Sequence, residues 1–284
     1  PAPDGGVLVE IIKGDGETVV SGEVIAKIEK RDALVNLESI IQASDGILVA
    51  RGDLAVEVGN ERVPVLQKQM VRKCNLAGKT SIIATQMLMS MVDNPRPSRA
   101  EASDVANSVW DGADVVMLSN ETAVGKYPYE TVKMMGMIVE QAEEMPYSQP
   151  VLWNEWELSP EGQQAVALLQ SAVRMGSIAN AKILAVLTQS GKSALLTSKC
   201  RPRTPVVAIT SSMETYRQLS IKWGVQAIFM EDMEELMTHI AVFDAIGQKL
   251  RALKLCATGD KIVITAGLPR LAHGSTNTIK IHTV

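Results

Sequence analysis

Side chains able to bind ions or move protons occur where apolar strand patterns end. Lys27 and Glu29 end the first pattern, Gly52 and Asp53 follow the second, and Thr85 follows the third. A pair of carboxylates can hold a divalent cation, an ammonium can stabilise developing negative charge, and a hydroxyl with water can pass a proton. In an arbitrary protein such carboxylates are more often solvated, and such a threonine more often caps a helix. Their shared placement at strand ends favours a site.

A second group lies later in the chain and is called the phosphate loop below. Thr188, Ser190, Gly191, Lys192 and Ser193 follow one apolar strand pattern and open a helical pattern. Hydroxyls, backbone N–H groups and a helix dipole would therefore converge on one spot, as in phosphate sites at helix N-termini. The alternative is an ordinary turn between a strand and a helix.

The first group requires a parallel sheet to bring its members together. Short β-rich runs alternate with longer helical patterns, which is typical of βα units. The four predicted strands are Val24–Ile28, Gly46–Ala50, Thr80–Ala84 and Asp114–Leu118. Each is a nearly continuous apolar run, as expected for strands covered on both faces. Four βα units are half of an eight-stranded barrel, so we expect a partner or further sequence to supply the rest.

The alternation of strand and helix patterns is interrupted over residues 146–160, which contain three prolines. We expect a linker there, with the C-terminal half of a (β/α)8 barrel over residues 1–145 and a second α/β domain over residues 161–284. The predicted strands of this second domain are Ile183–Leu187, Val206–Ile209, Ala227–Met230, Lys261–Ala266 and Thr278–His282. Its predicted helices are Glu161–Asn180, Lys192–Lys199, Met213–Trp223 and Glu231–Leu253. The predicted fold class is α/β: a partial (β/α)8 TIM-type barrel followed by a smaller α/β C-terminal domain.

Composition narrows the class of protein. The 284 residues are 46% hydrophobic and carry a net charge of -4, which suits globular cores and gives no electrostatic footprint for nucleic acid or an anionic membrane surface. The sequence has no apolar run as long as a membrane helix. Its three cysteines show neither zinc-ligand nor disulfide spacing, so we expect a cytoplasmic protein.

Five ordered motifs resemble one enzyme family. They are AKIEK (26–30), SDGILVARGDLAVEV (44–58), IATQMLMSM (83–91), NPRPSRAEASDVANSVWDGADVVMLSNETA (94–123), and TQSGKSA (188–194) with KCRPRTPVVAIT (199–210). In the residue types of these motifs and in the spacing between them, the chain resembles pyruvate kinases from about Glu23 to its C-terminus. The resemblance implies phosphoryl transfer from phosphoenolpyruvate to ADP, giving pyruvate and ATP in glycolysis.

The resemblance implies a role for each residue of the first group. Glu29 and Asp53 correspond to the carboxylate ligands of Mg²⁺ or Mn²⁺, and Lys27 to the lysine beside the transferring phosphoryl group. The backbone N–H groups of Gly52 and Asp53 would receive the carboxylate of phosphoenolpyruvate. Thr85 corresponds to the threonine near the methylene carbon, where its hydroxyl and a water would deliver a proton. Arg51 is predicted to be an architectural ion-pair residue.

The resemblance extends to regulation and assembly. The five residues of the phosphate loop become candidate contacts of an allosteric sugar phosphate, and Arg270 could meet its second phosphate. Relatives are usually homotetramers, so a homo-oligomer is expected. Asn120 and Val124 depart from the family pattern where the nucleotide is expected.

Part of the family's machinery has no counterpart in residues 1–22. In pyruvate kinases an earlier part of the chain supplies the first barrel half, a lid domain, an arginine that contacts the phosphoryl group, and the ligands of K⁺. We therefore expect the chain to extend upstream, and K⁺ to be required although its ligands are not here.

Two other functions stay open. The chain could be a non-catalytic module for sugar-phosphate binding or oligomerisation, which would bind effector without turnover. It could also be a Mg²⁺-dependent lyase or aldolase of pyruvate-like substrates, for which release of pyruvate would not depend on ADP.

Overall fold

The computed structural model describes residues 24–145, 160–233, 242–268 and 276–284, and the following statements concern those residues. They form two compact units, the first over the described residues up to 145 and the second over those from 160 onwards. Among them, no helix combines the length and apolarity needed to cross a bilayer. The predicted linker at 146–160 lies almost wholly outside the described residues.

The first unit is built on a four-stranded parallel sheet in the order β1-β2-β3-β4. The strands are β1 (Ile25–Ile28), β2 (Gly46–Ala50), β3 (Thr80–Ala84) and β4 (Val115–Met117). The two middle strands have the predicted bounds and are buried throughout, as their continuous apolar runs require. Among the described strands, β1 and β4 each pair with one neighbour. The predicted four βα units of a partial barrel are confirmed.

Helices follow each strand of the first unit. They are α1 (Arg31–Val35), α2 (Leu37–Ala43), α3 (Arg51–Val58), α4 (Val63–Leu76), α5 (Arg99–Trp110), α6 (Asn120–Ala123) and α7 (Pro128–Glu143), with 3₁₀ turns at Asn60–Arg62 and Met89–Val92. Successive strand residues face opposite sides of the sheet. Ile47, Val49 and Ile83 therefore join the core beneath the helices, whereas Leu48 and Ile82 belong to a smaller apolar cluster.

Helix α5 has a well-defined start, and it carries Asp104, which pairs with Arg51. The Ser98 hydroxyl accepts a hydrogen bond from the backbone N–H of Glu101 at 3.2 Å, and the Glu101 carboxylate accepts one from the Ser98 N–H at 2.8 Å. This reciprocal pair is a capping box. Burial raises the pKa of Glu101, but hydrogen bonds from Ser90 and Ser98 outweigh it and lower the pKa overall.

The second unit contains a five-stranded sheet in the order β7-β6-β5-β8-β9. Its strands are β5 (Ile183–Leu187), β6 (Val206–Thr210), β7 (Val225–Phe229), β8 (Lys261–Ala266) and β9 (Thr278–Thr283). All neighbours are parallel except β8 and β9, which are antiparallel. Apolar clusters cover both faces of this sheet, so the unit is a layered α/β domain as predicted.

The helices of the second unit depart from the prediction in two places. They are α8 (Pro160–Ile178), α9 (Lys192–Lys199), α10 (Met213–Gln218) and α11 (Val242–Ala252), with a 3₁₀ turn at Leu219–Ile221. The helix predicted to reach Trp223 ends at Gln218, and a left-handed Gly224 then leads into β7 two residues before its predicted start. The helix predicted from Glu231 is also wrong at its start, because Glu231 and Asp232 form a turn.

Candidate active site and phosphate loop

Lys27, Glu29 and Asp53 meet where β1 and β2 end. The Lys27 Nζ atom lies 2.5 Å from Glu29 Oε2 and 3.4 Å from Asp53 Oδ2. Parallel pairing of β1 with β2 places these segments side by side, and Asp53 lies in the first turn of α3 directly after β2. The structure therefore brings the predicted lysine and both predicted carboxylates together.

The charges of this cluster support one another. The hydrogen bond that Lys27 donates to the Glu29 carboxylate is the main reason that the pKa of Lys27 is raised, with Asp53 adding to it and burial opposing it. Lys27 is therefore fully protonated at neutral pH. The neighbouring Lys30 is engaged elsewhere, since its Nζ lies 3.1 Å from Glu57 Oε1. The cluster holds one fixed positive charge between two carboxylates.

The donor set fits a hard divalent cation. Mg²⁺ is usually bound by one or two carboxylates and keeps several water or substrate oxygens. Glu29 and Asp53 supply two carboxylates within reach of one ammonium, and Asp53 is 62% exposed, which leaves room for such oxygens. Over the described residues there is no group of three or more His, Cys, Asp or Glu side chains arranged to hold a metal.

Thr85 directly follows β3 and lies beside the start of α3. Its Oγ1 accepts a hydrogen bond from the backbone N–H of Gly52 at 2.9 Å. This contact joins the third strand end to the second, so Thr85 and Gly52 lie together as their predicted roles require. The Gly52 N–H already has an acceptor here, and a substrate carboxylate would have to share or replace the Thr85 hydroxyl. The predicted substrate-binding role of Gly52 and Asp53 stays a prediction.

The backbone at Thr85 and Gln86 adopts an unusual conformation. Their φ angles are 69° and 55°, in the left-handed region that β-branched residues rarely enter. Such conformations persist only where surrounding contacts impose them, and they concentrate at functional sites. This turn could not be predicted from the residue types, because neither residue is the Gly or Asn that usually marks one.

Arg51 has the architectural ion pair predicted for it. Its Nη1 lies 2.7 Å from Asp104 Oδ2, and only 8% of the residue is exposed. The same guanidinium donates to the Thr85 carbonyl. Arg51 therefore connects α5 to the end of β3.

Glu121, which has no predicted role, fixes the loop after β4. Its fully buried carboxylate accepts hydrogen bonds from the backbone N–H groups of Leu88 at 3.2 Å and Ser119 at 2.8 Å. By sequence it resembles any solvated carboxylate after a strand. The departures Asn120 and Val124 lie on either side of it and are exposed.

The phosphate loop occupies the predicted place between β5 and α9. Thr188 follows β5 and is buried, Ser190 and Lys192 are exposed, and Gly191 has a φ of 76° at the N-cap of α9. Since glycine has no side chain to cap the helix, the first N–H groups of α9 are suited to an external anion. The Ser193 and Thr276 hydroxyls are 2.8 Å apart. Arg270 lies outside the described residues.

Comparison with known proteins identifies both units. A family model for the pyruvate kinase barrel domain matches residues 8–132, and one for the pyruvate kinase alpha/beta domain matches residues 166–282. The chain is 43% identical over 261 residues to a pyruvate kinase from Agrobacterium vitis, which covers 91% of this chain and 53% of the relative. It is 40% identical over 264 residues to one from Geobacillus stearothermophilus, covering 92% of this chain and 44% of the relative.

A solved structure agrees with these matches. The crystal structure of a pyruvate kinase from Cryptosporidium parvum superimposes with a TM-score of 0.80 at 37% identity, covering 92% of this chain and 51% of that one. The chain thus spans about half the length of the relatives it matches. Both domain models, the relatives and the solved structure agree, and the chain belongs to the pyruvate kinase family.

Proposed function

We propose that the first unit carries the metal-binding and phosphoryl-transfer residues of a pyruvate kinase, with phosphoenolpyruvate and ADP as substrates. The observation that carries the proposal is the contact of one ammonium, Lys27, with the carboxylates of Glu29 and Asp53 at adjoining strand ends. Phosphoryl transfer depends on positioned charge more than on covalent catalysis, and this cluster supplies positioned charge.

In the proposed reaction, the bond between phosphorus and the enol oxygen breaks and a bond from phosphorus to a terminal ADP oxygen forms. Lys27 would stabilise the negative charge spread over the phosphoryl oxygens in the transition state. The enolate of pyruvate that leaves then takes a proton at its methylene carbon. Thr85 would pass this proton with the help of a water, because a hydroxyl alone is too weak an acid.

Glu29 and Asp53 would hold Mg²⁺ or Mn²⁺, which when bound supplies additional positive charge to the phosphoryl and carboxylate oxygens. Gly52 has no side chain, and a Cβ built there would lie in ordinary van der Waals contact with Thr85 Oγ1 at 3.6 Å. A carboxylate could therefore approach this backbone closely. A K⁺ ion would be a second cofactor, as the resemblance to the family implies.

A coupled assay tests the proposal. Pyruvate formation from phosphoenolpyruvate, ADP, Mg²⁺ and K⁺ is followed through lactate dehydrogenase, using the chain alone and mixed with the N-terminal half of the Geobacillus stearothermophilus relative. ADP-dependent pyruvate supports a kinase, whereas ADP-independent pyruvate indicates a lyase. The proposal is contradicted if the folded chain forms no pyruvate, alone or in the mixture, and does not bind Mn²⁺ together with phosphoenolpyruvate.

For the second unit, we infer an effector site for a sugar phosphate in the phosphate loop. Support comes from the left-handed Gly191 at the start of α9 and from the hydroxyls of Ser190 and Ser193 beside it. The Thr215 hydroxyl donates to the Gln189 carbonyl at 2.6 Å and helps to fix the loop. Calorimetric titration with phosphorylated hexoses and with inorganic phosphate tests this, and the absence of heat from all of them would refute it.

We also propose that the protein works as a homo-oligomer in the cytoplasm, as the resemblance to glycolytic enzymes implies. Light scattering of the purified chain at micromolar concentration measures the assembly directly. A monomer at every concentration tested would contradict the proposal.

A further inference from the structure

We propose that Arg51 is a positioning residue that fixes the Thr85 hydroxyl for proton delivery to the enolate. This inference rests on the proposed function, because it assigns the way in which one residue of that site is held in place. Arg51 itself does not need to contact substrate. Its guanidinium acts on the backbone of the turn from which Thr85 projects.

The guanidinium holds two consecutive carbonyls of this turn. Arg51 Nη2 donates to the Thr85 carbonyl at 2.7 Å and to the Gln86 carbonyl at 3.2 Å, and Nε also donates to the Thr85 carbonyl at 3.3 Å. A planar guanidinium has donors arranged as a rigid fork, which suits two adjacent acceptors better than the single point charge of lysine. The two carbonyls therefore have a defined direction.

Those two carbonyls belong to the residues whose backbone is left-handed. Thr85 and Gln86 have φ angles of 69° and 55°, and neither is a glycine that would accept such angles without strain. Without an external restraint, a threonine at this position would favour the ordinary negative φ. The hydrogen bonds that Arg51 donates to both carbonyls supply a restraint of this kind.

Arg51 is in turn held from the far side by a second helix. Its Nη1 pairs with Asp104 Oδ2 at 2.7 Å and contacts Gln67 Oε1 at 3.4 Å. Asp104 lies on α5, whose first turn is fixed by the capping box of Ser98 and Glu101. The guanidinium is nearly buried, so its position is set by these partners and not by solvent.

The residue after Arg51 completes the arrangement. The Gly52 N–H donates to Thr85 Oγ1 at 2.9 Å, while Arg51 donates to the Thr85 carbonyl. Consecutive residues at the start of α3 thus hold the hydroxyl and the backbone of Thr85 at the same time. A shift of the turn would move the hydroxyl away from both Gly52 and the bound enolate.

The test measures proton transfer separately from phosphoryl transfer. Run in reverse, the proposed step breaks a C–H bond in the pyruvate methyl group, leaves the electron pair in the enolate and passes the proton through Thr85 to water. In D₂O with Mg²⁺, the return step forms a C–D bond, and ¹H NMR of pyruvate reports the exchange. The protein is assayed alone or with the N-terminal half of the relative, whichever preparation forms pyruvate in the presence of ADP.

Arg51→Lys retains the charge beside Asp104 but loses the fork, and it is the main variant. We expect its exchange rate to fall roughly 100-fold, while Mn²⁺ affinity stays within about 3-fold because Glu29 and Asp53 are untouched. Adding Gln86→Gly should restore at least about 10-fold of that loss, since glycine accepts the left-handed angle without the restraint. Arg31→Lys is the matched control, as Arg31 also donates to a backbone carbonyl, that of Glu57, and should leave exchange unchanged.

A second measurement does not depend on activity. Methyl-labelled threonine gives an NMR signal for Thr85, identified by its loss in Thr85→Val. We expect this signal to shift in Arg51→Lys and to return towards its original position when Gln86→Gly is added. An unshifted signal, or equal losses of exchange, phosphoryl transfer and Mn²⁺ affinity, overturns the positioning role. A shifted signal in a protein without any turnover supports that role and counts against the proposed function alone.

Discussion

The cluster of Lys27, Glu29 and Asp53 and the phosphate loop both follow parallel strands, yet they are made differently. The cluster consists of full charges from two neighbouring segments in direct contact. The phosphate loop is one continuous segment of hydroxyls, backbone and a single exposed lysine. Where charge is redistributed during a reaction, fixed charges are needed. Where a phosphate is only bound, helix N–H groups can suffice.

The two regions also obtain their left-handed backbone differently. In the phosphate loop the positive φ is at Gly191, where the residue type permits it. Next to the cluster the positive φ angles are at Thr85 and Gln86, whose carbonyls accept hydrogen bonds from Arg51. The first solution is local to the sequence, whereas the second requires α3 and α5 to be in place.

Lys27→Met should have the largest effect, and it tests whether the cluster depends on a fixed charge. We expect kcat to fall by roughly 10³-fold, because a fixed charge at the transition state is lost. Mn²⁺ affinity should not fall, since the two carboxylates lose a competitor. Stopped-flow and titration measurements check this. The control is Lys30→Met, which removes a lysine paired with Glu57, and near-normal turnover in Lys27→Met would contradict the assignment.

Asp53→Asn should have the next largest effect. Removing one of two carboxylates should weaken Mn²⁺ binding by at least the roughly 10- to 100-fold known for outer partners of metal ligands. Electron paramagnetic resonance of free Mn²⁺ measures it. Asp32→Asn, an exposed aspartate on α1, serves as the control, and equal affinities in the two variants would show that Asp53 is not a ligand.

Gly191→Ala tests the phosphate loop through its backbone. An alanine at a φ of 76° should lower the free energy of unfolding by about 1 kcal/mol and weaken sugar-phosphate binding. Gly224→Ala places the same strain at a φ of 64° outside the loop. Chemical denaturation should give similar losses for both variants, with binding reduced only in Gly191→Ala; reduced binding in both would remove the special role of the loop.

The smallest effect is expected for Lys192→Met. An exposed charge contributes about 0.2–1 kcal/mol to an ionic contact, so sugar-phosphate affinity should fall only a few-fold and the difference should shrink with added salt. Lys182→Met, at the opposite end of β5, should change nothing. A loss of sugar-phosphate affinity in Lys192→Met as large as the loss of kcat in Lys27→Met would mean that the phosphate loop also depends on fixed charge.

Much of the first unit could be predicted from the sequence, because its signals are local. Apolar runs marked Gly46–Ala50 and Thr80–Ala84 with correct bounds. The cluster was predictable for the same reason, since strand ends fall together once the strands are parallel. The contact of Lys27 with both carboxylates follows from that register.

Features that depend on distant partners could not be predicted. The left-handed turn at Thr85 accepts hydrogen bonds from Arg51, and Arg51 is itself held by Asp104 from another helix. The buried carboxylate of Glu121 likewise depends on N–H groups of Leu88 and Ser119. The end of α10 was missed because its apolar spacing continues into a 3₁₀ turn.

The strand orders of the two sheets bear on how each unit folds. In the order β1-β2-β3-β4 every strand pairs with the next one in the chain, so the sheet can grow by successive short loop closures. In the second sheet β5 must pair with β8 after β6, β7 and α11 have intervened. Contacts between distant segments slow folding. We therefore expect the second sheet to form in two stages, with β8 and β9 docking onto an already assembled β5-β6-β7 edge.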